Sequence, residues 1–220
     1  MEESVYILER FSNLMYGQLH VIVECGSRDC LDAIQMEGYY TPDIIYSFEC
    51  NPESIPICES NIRIFDNIKL IPKAVYNEDT MVKFYSVDME RSVDKNIGAS
   101  SLLKLRDRSG GILQNEIEVE GIRLDTFMKQ EGIKKIDLLC MDLQGAEHIA
   151  IEGLGDKLKY VHYIISEVSS LSFYHGDMLE VNFIKFMKDR GFKAIKRYKG
   201  NVLFKNLEWR KTISSLGRNS

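Results

Sequence analysis

Apolar residues recur along this chain in two alternating rhythms. Residues 20–25 and 43–48 are short runs rich in β-branched and aromatic side chains, the first ending at Gly26 and the second at a Glu49-Cys50-Asn51-Pro52 junction. Each is followed by helical spacing: Leu31, Ile34 and Met36 after the first, and after the second a helix to about Arg63 with Asn51 as N-cap and Pro52 in the first turn. Residues 68–76 predict a third strand, Asn77-Glu78-Asp79 a turn, and 82–87 a fourth extended segment. Beyond these, 116–119 is extended, 124–130 helical and 136–143 a strongly apolar strand, after which Gly145 opens a helix that Gly153 closes. Residues 161–168 form another strand, 178–190 an amphipathic helix stopped by Gly191, and 192–198 with 201–204 an antiparallel hairpin turning at Lys199-Gly200. Strands alternating with helices imply an α/β fold with a mostly parallel sheet and helices on both faces.

Three stretches stand apart. Residues 4–16, within an N-terminal region 1–18, place Val5, Leu8, Phe11, Leu14 and Met15 at near-helical spacing, as a helix covering the sheet edge does. Residues 88–114 turn polar, with Gly98, Ser100, Ser101, Gly110 and Gly111 and no sustained period; a loop that long in a compact domain points to a lid or acceptor loop over a site. Residues 208–220 read as a tail.

At 220 residues and 45% hydrophobic content the chain can bury one substantial core, so a single domain over 1–220 is expected. No run approaches the roughly 18 apolar residues a membrane span needs, and the acidic start Met1-Glu2-Glu3 is unlike a secretory signal, which makes a cytoplasmic location the expectation. The five cysteines, Cys25, Cys30, Cys50, Cys58 and Cys140, are odd in number and are expected to be reduced; Cys25 and Cys30 lack the second Cys/His pair that zinc requires. A net charge of −5 repels polyanions and disfavours nucleic acid as a partner. The basic clusters Lys193-Lys196-Arg197-Lys199 and Arg210-Lys211-Arg218 fit solvated faces, with RNA kept as the runner-up.

In an open parallel sheet ligands sit beyond the carboxyl ends of the strands. There, Glu24-Cys25-Gly26-Ser27 offers a glycine that lets backbone approach a ligand and an acid that can meet a cationic amino group, or else a plain turn. Glu49 lies 23 residues beyond Gly26, an offset that suits hydrogen bonds from a ribose diol. A dinucleotide fingerprint needs glycine at 28 and glycine or alanine at 31, where Arg28 and Leu31 stand, so a nucleotide-dependent oxidoreductase is disfavoured.

Glu24-Cys25-Gly26, Phe48-Glu49-Cys50-Asn51-Pro52, Ala74-Val75, Arg123-Leu124-Asp125-Thr126 and the run from Asp137 through Asp142 and Gly145 to Glu147 occur in one order. In that order, over roughly 21–168, the chain resembles the FkbM-type methyltransferases. The resemblance implies a Rossmann-like class I fold with a seven-stranded sheet and a C-terminal antiparallel hairpin. It also implies methyl transfer from S-adenosylmethionine to a hydroxyl of a small molecule or saccharide. By the same resemblance Glu24, Cys25, Gly26 and Ser27 line the methionine part, Glu49 the ribose, and Cys50, Ala74 and Val75 the adenine, with Asp142 completing the contacts. The chain departs from the pattern at Glu24 in place of aspartate, Cys30 in place of glycine, Met141 in place of lysine and Gln144 in place of glutamate. Those departures keep a catalytically impaired binding or scaffold protein in play.

An oxygen nucleophile needs its proton removed, and Asp142, at a strand end, is the first candidate base; Glu167 would orient the acceptor and Glu147 brace the loop. Asp142 as a mere helix cap is the alternative. Two cleft carboxylates also suit a divalent cation, but no third ligand is evident, so no metal is predicted. His148 and His175 are expected to be surface or supporting residues. The motifs carry no information on oligomeric state.

Overall fold

The computed structural model describes residues 3–106 and 111–216. Residues 107–110 of the expected lid, among them Gly110, lie outside the described residues, as do 1–2 and 217–220 with Arg218. In chain order the strands are β1 (Val21–Cys25), β2 (Ile44–Phe48), β3 (Ile68–Ile71), β4 (Ala74–Tyr76), β5 (Met81–Val87), β6 (Gln114–Arg123), β7 (Ile136–Met141), β8 (Val161–Glu167), β9 (Phe192–Tyr198) and β10 (Asn201–Asn206). The helices are α1 (Glu9–Ser12), α2 (Leu31–Tyr40), α3 (Ile55–Ile62), α4 (Leu124–Gln130), α5 (Glu147–Glu152), α6 (Glu180–Lys188) and α7 (Trp209–Leu216).

Seven strands form one sheet in the order β3-β2-β1-β7-β8-β10-β9, parallel from β3 to β8, with β10 antiparallel to both neighbours. The chain moves outward from β1 to β3 and then returns to β7 on the other side of β1, so strand order reverses at the carboxyl ends of β1 and β7. Helices cover both faces, which is why every residue of β7 is buried and its sequence is a nearly unbroken apolar run. Alternation assigns Val23, Phe48, Leu139 and Met141 to one core and Ile22, Ile45, Leu138 and Cys140 to the other. All five cysteines are free. No helix among the described residues is long and apolar enough to cross a membrane.

Several elements differ from the sequence expectation. The helix expected over 4–16 is a 3-10 turn (Val5–Ile7) and the short α1, parted by Leu8 in an extended conformation at ψ 133°. Residues 68–76 are two strands in two sheets, because Pro72 has no N–H for a ladder and the chain leaves the main sheet there. β4 pairs with β6, and β5 lies antiparallel to β6, forming a separate three-stranded sheet; β6 runs for ten residues where only 116–119 was expected. The helix α3 starts at Ile55 with Pro56, not Pro52, in its first turn, and Asn51 instead closes a turn by accepting from the Glu53 N–H at 3.1 Å. Gly153 closes α5 as expected, but the chain then runs through Leu154 into a 3-10 segment, Gly155–Tyr160, that the sequence pattern does not mark. The tail contains α7, whose Trp209 stacks on His162 at 4.4 Å between ring centroids.

Candidate active site

The tips of β1, β2 and β7 are drawn together by backbone. Gly26 and Ser27 both donate N–H groups to the Phe48 carbonyl at 3.0 Å, and the Asp142 N–H donates to the Cys25 carbonyl at 3.0 Å. Gly26 has φ +88°, and a Cβ there would lie 2.0 Å from the Asp142 carbonyl oxygen, so the close approach requires glycine.

A cavity of about 190 Å³ opens at these tips. Of the residues singled out in the sequence, Gly26, Ser27, Glu49, Cys50, Ala74, Val75 and Asp142 border it. Glu24 and Cys25 do not border it. Strand alternation turns Cys25 into the core that holds Phe48, Val75 and Met141. Glu24 is fully buried on the opposite side, accepting hydrogen bonds from the Ser27 and Ser47 hydroxyls at 2.7 Å each. Burial pushes its carboxyl up to about 8, against the lowering effect of those two hydroxyls.

Glu49 sits at the cavity wall, 8% exposed, accepting from the Asn51 N–H on Oε1 (2.7 Å) and from the Arg28 N–H on Oε2 (2.8 Å). Burial raises its carboxyl despite these bonds. One N–H on each oxygen fixes the orientation and leaves each oxygen able to accept again. Phe84 from the second sheet and Leu102 join Ala74 and Val75 to make an apolar wall. The segment 96–102 also borders the cavity, tied in by the Ser101 hydroxyl, which donates to the Gln144 carbonyl at 3.0 Å. That segment lies within 88–114, whose polar, aperiodic sequence points to a loop over a site, although no motif in it marks the individual contacts.

Past Asp142 the chain reverses through Gln144 (φ +52°) and Gly145 (φ +96°) into α5. Gln144 Nε2 donates to Asp142 Oδ1 at 2.6 Å and to Glu167 Oε2 at 2.9 Å. Burial, then the adjacent Asp142 charge and a hydrogen bond shared with it, push Glu167 up to about 9. Asp142 does not cap α5, whose N-cap position is Ala146 with no side-chain bond. Glu147 faces back, accepting from the Leu143 and Gly145 N–H groups at 2.8 and 3.3 Å, and burial raises it to about 7. Asp142, Glu147 and Glu167 each bring an oxygen to within 4.8 Å of the others, so Glu147 supplies the third carboxylate that the sequence did not reveal. Gln144 also meets the Tyr174 hydroxyl at 3.1 Å, and that hydroxyl lies 3.1 Å from the Ala99 carbonyl. Tyr174 carries no sequence signal of this position. Neither His148 nor His175 borders this cavity.

A mostly parallel seven-stranded sheet with a terminal antiparallel hairpin, carrying a cleft at the switch between β1 and β7, is a Rossmann-like methyltransferase fold. Residues 26–194 match the methyltransferase FkbM domain; the chain belongs to that family and is a methyltransferase. Among curated proteins it is similar to the 2-O-methyltransferase NoeI of Sinorhizobium fredii (strain NBRC 101917 / NGR234), 25% identical over 162 residues, which span 72% of this chain and 67% of that protein. Two solved structures share the fold. M. capricolum TrmK, in complex with S-adenosyl-homocysteine, has a TM-score of 0.51 and 13% identity over 99% of this chain and 84% of that one. The N-methyltransferase NodS from Bradyrhizobium japonicum WM9 has a TM-score of 0.51 and 7% identity over 91% and 92%.

Proposed function

We propose that this chain transfers a methyl group from S-adenosylmethionine to a hydroxyl of a small molecule or saccharide, within a single domain whose segment 88–114 acts as the lid. One observation carries the reading: the Glu49 cavity ends at Gln144, and the amide of Gln144 is bonded to the carboxyls of Asp142 and Glu167. The pocket thus meets Asp142 directly and reaches Glu167 through the Gln144 amide. The similarity to a 2-O-methyltransferase supports oxygen as the accepting atom.

The donor set suits this cofactor. Glu49, held by two N–H groups, can accept both hydroxyls of a ribose; Cys50, Ala74, Val75 and Phe84 offer an apolar slot for adenine; the backbone at Gly26 and Ser27 can lie against the amino-acid tail. Glu24 supports that backbone from behind through Ser27. When bound, S-adenosylmethionine supplies a methyl group made electrophilic by a sulfonium. Asp142 takes the proton of the acceptor hydroxyl, Glu167 remains protonated at neutral pH and orients the acceptor oxygen, and Glu147 holds the loop through the Leu143 and Gly145 amides.

Calorimetric titration with S-adenosylhomocysteine, followed by transfer of labelled methyl groups to glycans, hydroxylated metabolites and capped RNA, tests the reading. Micromolar binding and label on a hydroxylated acceptor are expected; a chain that does not bind the thioether sinks it.

A further inference from the structure

On the far side of Gln144 lies a second cavity, of about 280 Å³, between the loop after β8 and the start of α6. Gln144 borders both cavities, and its amide, with the two carboxyls it bridges, is the partition between them. A molecule in the second cavity therefore meets Glu167 and Gln144 directly, from the side opposite the nucleoside-type pocket. Its walls are of two kinds. One is apolar and includes Leu171 and Phe173, which are 64% and 51% exposed although they flank a pocket. The other is polar and carries the Tyr174 ring edge and three acids, Glu147, Glu167 and Asp177.

The charge on that lining has one sign. No Lys, Arg or His borders the cavity among the described residues. Arg197 and Lys199 border a separate depression past Gly200, where Arg197 is paired with Glu180. Arg106 is close enough to Asp177 to favour its charge, but it donates to the Tyr174 carbonyl and does not border the cavity. Asp177 stays ionised: burial alone would raise it, but the Ser172 hydroxyl and the Tyr174 and Phe173 N–H groups hold it below the usual range. Glu167, raised by burial and the Asp142 charge, can offer a neutral carboxyl to a hydroxyl there, while Glu147 is held by the Leu143 and Gly145 N–H groups. A fixed negative charge beside exposed aromatic surface admits a molecule with hydroxyls on its edge and C–H groups on its face, and it repels a carboxylate or phosphate.

We propose that this second cavity is the acceptor site, that it seats an uncharged, hydroxyl-bearing ring against Phe173, and that it excludes anionic acceptors. The proposal rests on the methyl-transfer reading above. The acceptor hydroxyl reaches Asp142 by replacing the Gln144 amide as hydrogen-bond donor to Oδ1, so the partition opens without leaving a buried acceptor unpaired.

The test uses the full chain, titrated with and without S-adenosylhomocysteine. The probes are neutral p-nitrophenyl glycosides (glucoside, galactoside, fucoside), p-nitrophenyl glucuronide, and a capped RNA oligonucleotide. A neutral glycoside should bind about tenfold more tightly than the glucuronide. Phe173→Ala should weaken it roughly fivefold while leaving S-adenosylhomocysteine affinity unchanged. Leu171→Arg, at an exposed position, should narrow the gap between neutral and anionic glycosides to about threefold or less. The proposal is overturned if no neutral glycoside binds, if the glucuronide or RNA binds as well or better, or if Phe173→Ala changes nothing. Failure of S-adenosylhomocysteine to bind strikes the cofactor reading instead, and the titrations without it still decide the acceptor site.

Discussion

Gln144 donates from Nε2 to Oε2 of Glu167 across 2.9 Å, fastening the loop after β7 to the tip of β8. The same nitrogen donates to Asp142 at 2.6 Å, and the residue holds φ +52°, a region non-glycine residues seldom occupy. Hydrogen bonds with Glu167, Tyr174 and Ser101, from three other segments, therefore keep Gln144 against its local preference, as strained residues at functional sites commonly are.

If Asp142 is the base, Asp142→Asn should lower turnover by roughly 10²–10⁴-fold, the usual contribution of a positioned base. Affinity for S-adenosylhomocysteine should stay within about twofold, since the Asn keeps the shape of the wall. Steady-state kinetics beside calorimetry separate the two; normal turnover would remove Asp142 from the chemistry.

Glu49→Ala should have the opposite signature. Loss of two charge-assisted hydrogen bonds to a ribose costs about 3 kcal/mol, or roughly a hundredfold in affinity. Circular dichroism on the same sample checks that the turn at Arg28 and Asn51, which Glu49 also holds, has survived.

The rate should fall as pH passes about 9, where Glu167 loses its proton beside the Asp142 charge. The Gln144 amide lowers that value by donating to the carboxylate, so Gln144→Ala should move the alkaline limb upward. A limb that moves down, or does not move, contradicts the pairing.

Glu24 makes stability depend on pH. Its folded value, near 8, lies above the ordinary carboxylate value of 4.5, so the native state holds the proton more tightly than the unfolded chain. The resulting stabilisation is fully present below the unfolded value and is lost as pH rises through 8. Urea midpoints should fall between about pH 5 and pH 9, and Glu24→Gln should flatten that slope.

Gly26→Ala should destabilise the fold by several kcal/mol, lowering the melting temperature by about 4–10 °C, because a Cβ would sit 2.0 Å from a carbonyl oxygen and φ is +88°. Thermal melts followed by circular dichroism measure this.

Periodicity and turn residues sufficed for the alternation of strand and helix, the hairpin at Lys199-Gly200 and the strand tips where Gly26, Glu49 and Asp142 stand. These are local properties: hydrophobic spacing and the backbone freedom of particular residues act within a few positions. The division of 68–76 between two sheets was less legible, since only the pairing of β4 with a strand more than forty residues away shows where Pro72 sends the chain. The same holds for the ends of β6: the sequence marks only 116–119 as extended, and pairing with β5 and β4 carries the strand from Gln114 to Arg123.

In the site, sequence determined which carboxylates exist and at which strand ends they fall. Tertiary structure decided which of them meet. Glu24 was placed behind Ser27 and Ser47, Glu147 was brought beside Asp142, and Gln144 was set between two cavities with the Tyr174 hydroxyl bonded to it. Burial and proximity to other charges, which set a carboxyl's protonation, are sums over residues distant in the chain, and no local pattern encodes them.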